Sequence, residues 1–339
     1  MQNISPGARM LRIVIVRENP PGSCRLGWTR LLSLLLLFPA ASSLPAQAPE
    51  PNGDFKISTE VDLVLLDVSV KNPKGGYVSG LTQENFKVYE DGVLQKITTF
   101  TSADVPVAVG LVTDNSGSMQ PKRASLIQAG LEFVRGSNPE DQIFVINFDD
   151  DVRLGLPPSM PFTDNINLLR SALSQGIPQG RTALYDAIAA GLRHLELGQR
   201  GKKALIVVSD GGDNFSSLKF HELMQMIQES PATVYTVGLY DPDDPDRNPG
   251  VLRRISKTSG GECFLPGDFK EIVPILTKIA RDIRNRYTIG YIPGADGAKQ
   301  ALRKIRVTAN APGHEKLIVR TRSSYVLPEH NGSKGAPHP

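Results

Sequence analysis

The chain has 339 residues, 40% hydrophobic and 22% charged, a globular composition long enough for one large domain or two smaller ones. Its formal net charge is +3, but residues 1–48 hold five arginines and one acid, so the remainder carries −1. A nearly neutral body has no electrostatic footprint for nucleic acid or for an anionic membrane surface.

Residues 1–48 read as a signal peptide. Arginines precede the apolar run 31–38, and Ala46-Gln47-Ala48 supplies small residues in an A-x-A pattern. The run is far shorter than the ~20 residues of a bilayer-spanning helix, so no permanent membrane anchor is expected. The mature protein is expected to be secreted or periplasmic. Cys24 leaves with the signal and Cys263 remains alone, so the fold must rest on its core rather than on a disulfide. Cys263 lies in an apolar stretch and reads as a buried small hydrophobe.

Residues 49–103 form an N-terminal β segment. After a lead-in rich in Pro and Ala, a β-prone run carries Val61, Leu63, Leu65, Val68 and Val70. Lys74-Gly75-Gly76 marks a turn, and Asp91-Gly92 marks a hairpin within a set of about four short strands. From 104 to 286 the rhythm changes. Apolar strands at 105–113, 142–148, 203–209 and 233–239 alternate with helices near 126–134, 165–173, 183–195, 218–228, 251–258 and 269–286, with a short strand at Cys263. That alternation specifies a parallel sheet covered on both faces, a Rossmann-like doubly wound α/β fold. Residues 287–327 return to β, with strand-like runs at 287–292, 302–309 and 317–325. The polar tail 328–339 is expected to be disordered. The two β flanks are expected to join in one small β-sandwich carrying the α/β block as an insertion, with two separate extensions as the alternative.

Three motifs fall at one edge of this sheet, the carboxyl ends of its strands, where open α/β sheets bind ligands. They are Asp114-Asn115-Ser116-Gly117-Ser118 after the first strand, Gly180-Arg181-Thr182-Ala183-Leu184-Tyr185-Asp186 at a helix start, and Ser209-Asp210-Gly211-Gly212 after a later strand. Each has an ordinary reading by itself: a solvated turn, a threonine N-cap, a turn after a strand. Their order and common setting point instead to one constellation.

D-x-S-x-S, a threonine in G-x-T-A-L-Y-D-A and an aspartate closing a strand together resemble the von Willebrand factor A domain over residues 104–286. The resemblance implies a metal-ion-dependent adhesion site. In it the hydroxyls of Ser116, Ser118 and Thr182 bind a divalent cation directly, and Asp114 and Asp210 bind directly or through water. Mg²⁺ suits such an oxygen set, and so does Mn²⁺. With few carboxylates the ion stays under-neutralised and takes an Asp or Glu side chain of a protein partner. The layout, with its β flanks and leader, also resembles the VWFA-related Acidobacterial proteins. Many von Willebrand factor A domains carry two glycines before the threonine, whereas here Arg181 holds the second place, either near the site or pointing away. Asp213 and Asn214 read as supporting or rim groups, and Asp186 as a structural acid in the first helical turn. The acidic loop 241–246 lacks the Gly and Glu of the helix-loop-helix calcium motif and reads as solvated.

The function expected is an exported, metal-dependent protein-binding module rather than an enzyme. The histidines lie outside the three loops, no G-x-S-x-G elbow or phosphate-cradling glycine loop is present, and Ser116 has no adjacent base. A metal-dependent hydrolase and a structural scaffold without ligand capture are the alternatives.

Overall fold

The structure, a computed structural model, describes residues 11–15, 59–240, 247–294, 302–313 and 316–326. The tail 328–339, the acidic loop 241–246 and nearly all of the leader lie outside the described residues. The chain divides into two compact units, Arg12–Val61 and the remainder. Strand β1 (Leu11–Ile15) falls almost wholly in the first, and everything below concerns the second.

Two antiparallel sheets carry the flanks. In one, β2 (Thr59–Lys71) pairs with β12 (Tyr287–Tyr291), β12 pairs with β5 (Ile97–Thr101), and β14 (Ile318–Arg320) joins the end of β2. In the other, the order is β15 (Ser324–Val326), β13 (Leu302–Ala309), β3 (Phe86–Glu90) and β4 (Val93–Gln95). Each sheet mixes strands from both ends of the chain. Leu66, Val68, Val88, Ile289, Ile305 and Tyr325 share one hydrophobic cluster, so the flanks form a sandwich. The β3–β4 hairpin turns through Asp91 and Gly92 at φ 48° and 87°, the left-handed pair that the Asp-Gly signal anticipates. Buried Glu90 pins the sheets together, accepting from Tyr291 Oη at 2.6 Å and from Tyr325 Oη at 2.7 Å.

Between the flanks lies a six-stranded sheet of β11 (Cys263–Phe264), β10 (Thr233–Gly238), β9 (Lys202–Ser209), β6 (Val107–Asp114), β7 (Gln142–Phe148) and β8 (Val152–Leu154), in that order. All pairs are parallel except β7–β8. Every residue of β6 and β10 is buried, the pattern of strands covered on both faces. α1 (Arg123–Gly136) packs with α2 (Ile166–Leu173) and α6 (Ile272–Arg284); α3 (Leu184–Leu195) packs with α4 (Phe220–Glu229), and α4 with α5 (Pro249–Ser259). Right-handed crossovers in opposite directions from β6 put these two groups on opposite faces.

Three local expectations differ from the structure. The antiparallel edge strand β8 was not anticipated, because three residues after a run of aspartates carry no periodic signal. The helix expected at 269–286 opens as a 3₁₀ turn over Phe269–Glu271. The run 317–325 splits into β14 and β15 in different sheets. Between them Arg322 Nη2 donates to the carbonyls of Gln228 and Ser230 at 2.9 and 2.8 Å, drawing the chain onto the α/β layer.

A buried charge network joins sandwich to α/β sheet. Asp282 of α6 has no exposed surface; it accepts from Ser69 Oγ (2.8 Å), Tyr235 Oη (2.7 Å) and Arg286 Nη2 (3.0 Å), and faces Lys71 Nζ at 3.1 Å. Burial alone would raise its pKa, but Arg286 and Lys71 outweigh that and hold it well below the carboxylate range. A depressed pKa contributes stability above the unfolded value, about 4, that is lost as pH falls below it. Arg286→Ala leaves this carboxylate buried beside one cation only. It should cost about 3–5 kcal/mol in urea unfolding at pH 7, and a loss under 1 kcal/mol would contradict the network's role.

Candidate metal centre

The strand order places a topological switch at β6. The chain leaves it for β7 on one side and later returns to β9 on the other, so the loops leaving β6 and β9 diverge and a crevice opens beyond their carboxyl ends. Asp114 ends β6, and Ser209 ends β9 with Asp210 next.

These loops meet in one hydrogen-bonded cluster. Asp114 Oδ1 accepts from Ser116 N at 2.8 Å, and Asp114 Oδ2 from Ser209 Oγ at 2.7 Å. Ser116 and Ser118 hydroxyls lie 3.2 Å apart, and Ser118 Oγ donates to Asp210 Oδ2 at 2.8 Å. Asp210 Oδ1 accepts from Gly212 N at 3.1 Å. Asp114, Ser116 and Asp210 are buried, and so is Thr182. Asp114, Ser116, Ser118 and Asp210 are thus linked directly, whereas Thr182 is reached through the backbone. Gly117 N donates to Gly180 O at 3.4 Å, and Thr182 exchanges backbone and side-chain bonds with Asn214, including Thr182 N to Asn214 Oδ1 at 2.9 Å.

The local sequence explains why Thr182 stands where it does. α3 begins at Leu184 with Ala183 as its cap residue, and its free N–H groups are met from the loop after β9. Tyr185 N donates to Asp213 Oδ1 at 3.1 Å and to Ser216 Oγ at 3.0 Å, and Asp186 N donates to Ser216 Oγ at 3.1 Å. Thr182 is therefore not the N-cap. Asp186 ties the same loop, accepting from Ser217 N and Leu218 N. Gly180 sits at φ +76°, a conformation that strains any other residue, and a Cβ there would stand 2.8 Å from Asp150 Oδ1, so that carboxylate would have to shift. The guanidinium of Arg181 lies 3.7 Å over the ring of Phe215 and within 4.0 Å of Asp150, on the rim of the site rather than in it.

Sequence reasoning missed Asn115 and Ser209. Asn115 uses all its polar groups: its N–H donates to Phe148 O and its carbonyl accepts from Gln179 N, while its side chain donates to Gln175 O and accepts from Arg123 Nη1. It fastens the α2–α3 loop beside the D-x-S-x-S turn. No sequence signal marks it, since it fills an unspecified place in D-x-S-x-S. Ser209 is marked only by its place before Asp210 at a strand end. Cys263 is half-buried, with its thiol pKa raised by burial, and stands outside the cluster.

Among the described residues no group of three or more His, Cys, Asp or Glu side chains is arranged to hold a metal. The candidate set has only two carboxylates, with three hydroxyls beside them. Such hard, mostly neutral oxygen donors fit a divalent cation that keeps part of its water shell. Burial pushes the pKa of Asp114 up to about 6, with the charge of Asp210 adding to it and the bonds from Ser116 and Ser209 opposing it.

In metal-free protein a raised pKa works against folding as pH climbs from about 4 to about 6 and stays unfavourable above. Asp114→Asn removes that charge and keeps an acceptor for Ser116 N. Its thermal midpoint in chelator should exceed that of the wild type at pH 8 by about 2–6 °C, the effect of about 1–2 kcal/mol in a domain of this size. The difference should shrink toward pH 4; calorimetry showing a pH-independent difference would contradict this.

Residues 109–212 match the family model for the von Willebrand factor type A domain, a span that contains all five candidate ligands. The chain carries a von Willebrand factor type A domain. Among solved structures, it is similar to a von Willebrand factor type A protein from Catenulispora acidiphila, with 15% identity over 77% of this chain and 74% of that one at a TM-score of 0.47. The vWF domain of the type V pili tip protein Mfa5 from Porphyromonas gingivalis is 14% identical, over 53% of this chain and 96% of that one, at 0.46. Proximal thread matrix protein 1 from the mussel byssus, in a structure with a zinc-occupied MIDAS motif, is 17% identical over 54% of this chain and 48% of that one, at 0.42. At these identities each is a distant likeness. A search of curated proteins finds no match.

Proposed function

We propose that this protein is an exported binding module that uses a divalent cation, Mg²⁺ or Mn²⁺, to capture an Asp or Glu side chain of a partner protein. The observation that carries this reading is the buried cluster of Asp114, Ser116, Ser118 and Asp210 at the sheet's switch point, with Thr182 held beside it. The three hydroxyls and two carboxylates would hold the ion. A site so sparing of negative charge leaves the cation electrophilic toward one further carboxylate. The rim supports the same reading, because Arg181, stacked on Phe215, offers a cation to an acidic partner.

Binding is favoured over hydrolysis by the groups around the cluster. A metal-assisted hydrolase positions a general base within reach of its nucleophile. Here the seryl hydroxyls point at each other and at carboxylates. His194, a possible base by residue type, donates through Nε2 to Pro161 O at 2.7 Å and packs on Phe144, away from the site. Export is proposed from the leader pattern. No helix among the described residues is long and apolar enough to cross a membrane.

Isothermal titration of Mg²⁺ and Mn²⁺ into metal-stripped protein tests this directly. Saturable binding at one site is expected, at least about ten-fold weaker in a Ser116→Ala/Ser118→Ala variant, whose thermal midpoint in chelator matches the wild type. Folded wild-type protein that takes up neither ion at millimolar concentration would refute the metal-dependent reading.

A further inference from the structure

Away from the metal site, a cleft of about 530 Å³ opens where α5 and the residues leading into β11 face strands β13 and β14 of the sandwich. Its size falls in the range of small-molecule sites, about 300–1,000 Å³. Its walls are cationic: Arg253 and Lys257 come from α5, Arg306 from β13 and Arg320 from β14. The one carboxylate lining it, Glu262, is already engaged by Lys71 Nζ at 2.8 Å, by Arg320 and by Lys278 at 3.7 Å. Arg253, Lys257 and Arg306 have no ion-pair partner among the described residues, although the chain beyond residue 48 is nearly neutral.

Nothing in the fold calls for this arrangement. Arg253 and Lys257 are an i,i+4 pair of like charges on an exposed helix face, which weakens a helix. Arg306 brings a third positive charge to the same cleft from a different element, its guanidinium braced 4.2 Å over the ring of Tyr89. Convergent cations from separate elements, with no carboxylate among the described residues to neutralise them, mark a place where an anion supplies the missing charge. Ile305, Val307 and Val319 add apolar surface to the lining of the cleft.

We propose that this cleft binds a compact organic polyanion, two or three carboxylate, sulfate or phosphate groups carried on a frame of one or two sugar-sized rings. The unpaired cations take the acidic groups, and the apolar lining of Ile305, Val307 and Val319 takes the carbon face of the frame. A lone inorganic anion has no carbon frame to place on that lining. The site is independent of the metal centre, sharing no residue with it.

Citrate, a sulfated disaccharide and inorganic sulfate, titrated calorimetrically into the full chain at low salt with chelator present, distinguish the frames. One-site binding of citrate or the disaccharide is expected, tighter than that of sulfate and weakening as salt rises. A variant carrying Arg253→Glu and Lys257→Glu should bind at least about ten-fold more weakly, and Arg306→Gln should also weaken binding. All three substitutions sit on exposed side chains, so an unchanged thermal midpoint verifies folding. Two results would each overturn the proposal: no probe saturating below about 10 mM, or affinity untouched by the charge reversals. Because chelator is present throughout, failure here leaves the metal-dependent reading intact, and failure there leaves this one intact.

Discussion

The carboxylate of Asp282 is the point on which the architecture turns. It is buried without exposed surface and met by four groups from three places: Ser69 and Lys71 on β2, Tyr235 on β10, and Arg286 just beyond its own helix α6. A charge so placed is tolerated only while all of them remain, because desolvation alone would cost several kcal/mol. Two domains that could each bury a core are thereby locked in one arrangement. Arg286 extends the lock through Gly260 O at 2.8 Å and Asp67 O at 3.3 Å, and Lys202 Nζ closes it on Arg286 O at 3.2 Å. The sandwich is anchored near the amino ends of β9 and β10, which leaves the carboxyl ends, and the metal centre, unobstructed.

At those carboxyl ends the organising groups are hydrogen bonds between loops rather than packing. Asn115 joins the α2–α3 loop to the turn after β6, while Asp213, Asn214 and Ser216 join the loop after β9 to the start of α3. Three segments far apart in sequence are cross-tied by side chains that touch the donor cluster only indirectly. Preorganisation of this kind keeps the hydroxyls of Ser116 and Ser118 within reach of one another and of Asp210 before any ligand arrives. The same loop holds Gly180 at φ +76°, a conformation that favours glycine.

Much of this was legible in the chain. The alternation of wholly apolar strands with amphipathic helices specifies a covered parallel sheet, since no other arrangement buries both faces of β6 and β10. Asp91-Gly92 specifies its hairpin, because left-handed positions demand particular residues. Where signals were short or split, reading failed. β8 has three residues, and the run 317–325 looks like one strand although Arg322 pulls its middle out of the sheets.

The sequence by itself therefore determined the sheet and its helices, because these follow from local periodicity, and it set the motifs holding Asp114, Ser116, Ser118, Thr182 and Asp210 at strand ends and a helix start; that these five act as one set was what the family resemblance implied. Only the tertiary structure decided which residues support them. Asn115 and Ser209 act through partners 60 and 95 positions away, and no local pattern encodes such a distance; Asp213, a supporting candidate already in the sequence, is given its partner Tyr185 N only by the fold. The cationic cleft has the same origin: Arg253 and Arg306 are ordinary surface residues in their own segments, and their charges add up only where sandwich and α/β layer are brought face to face.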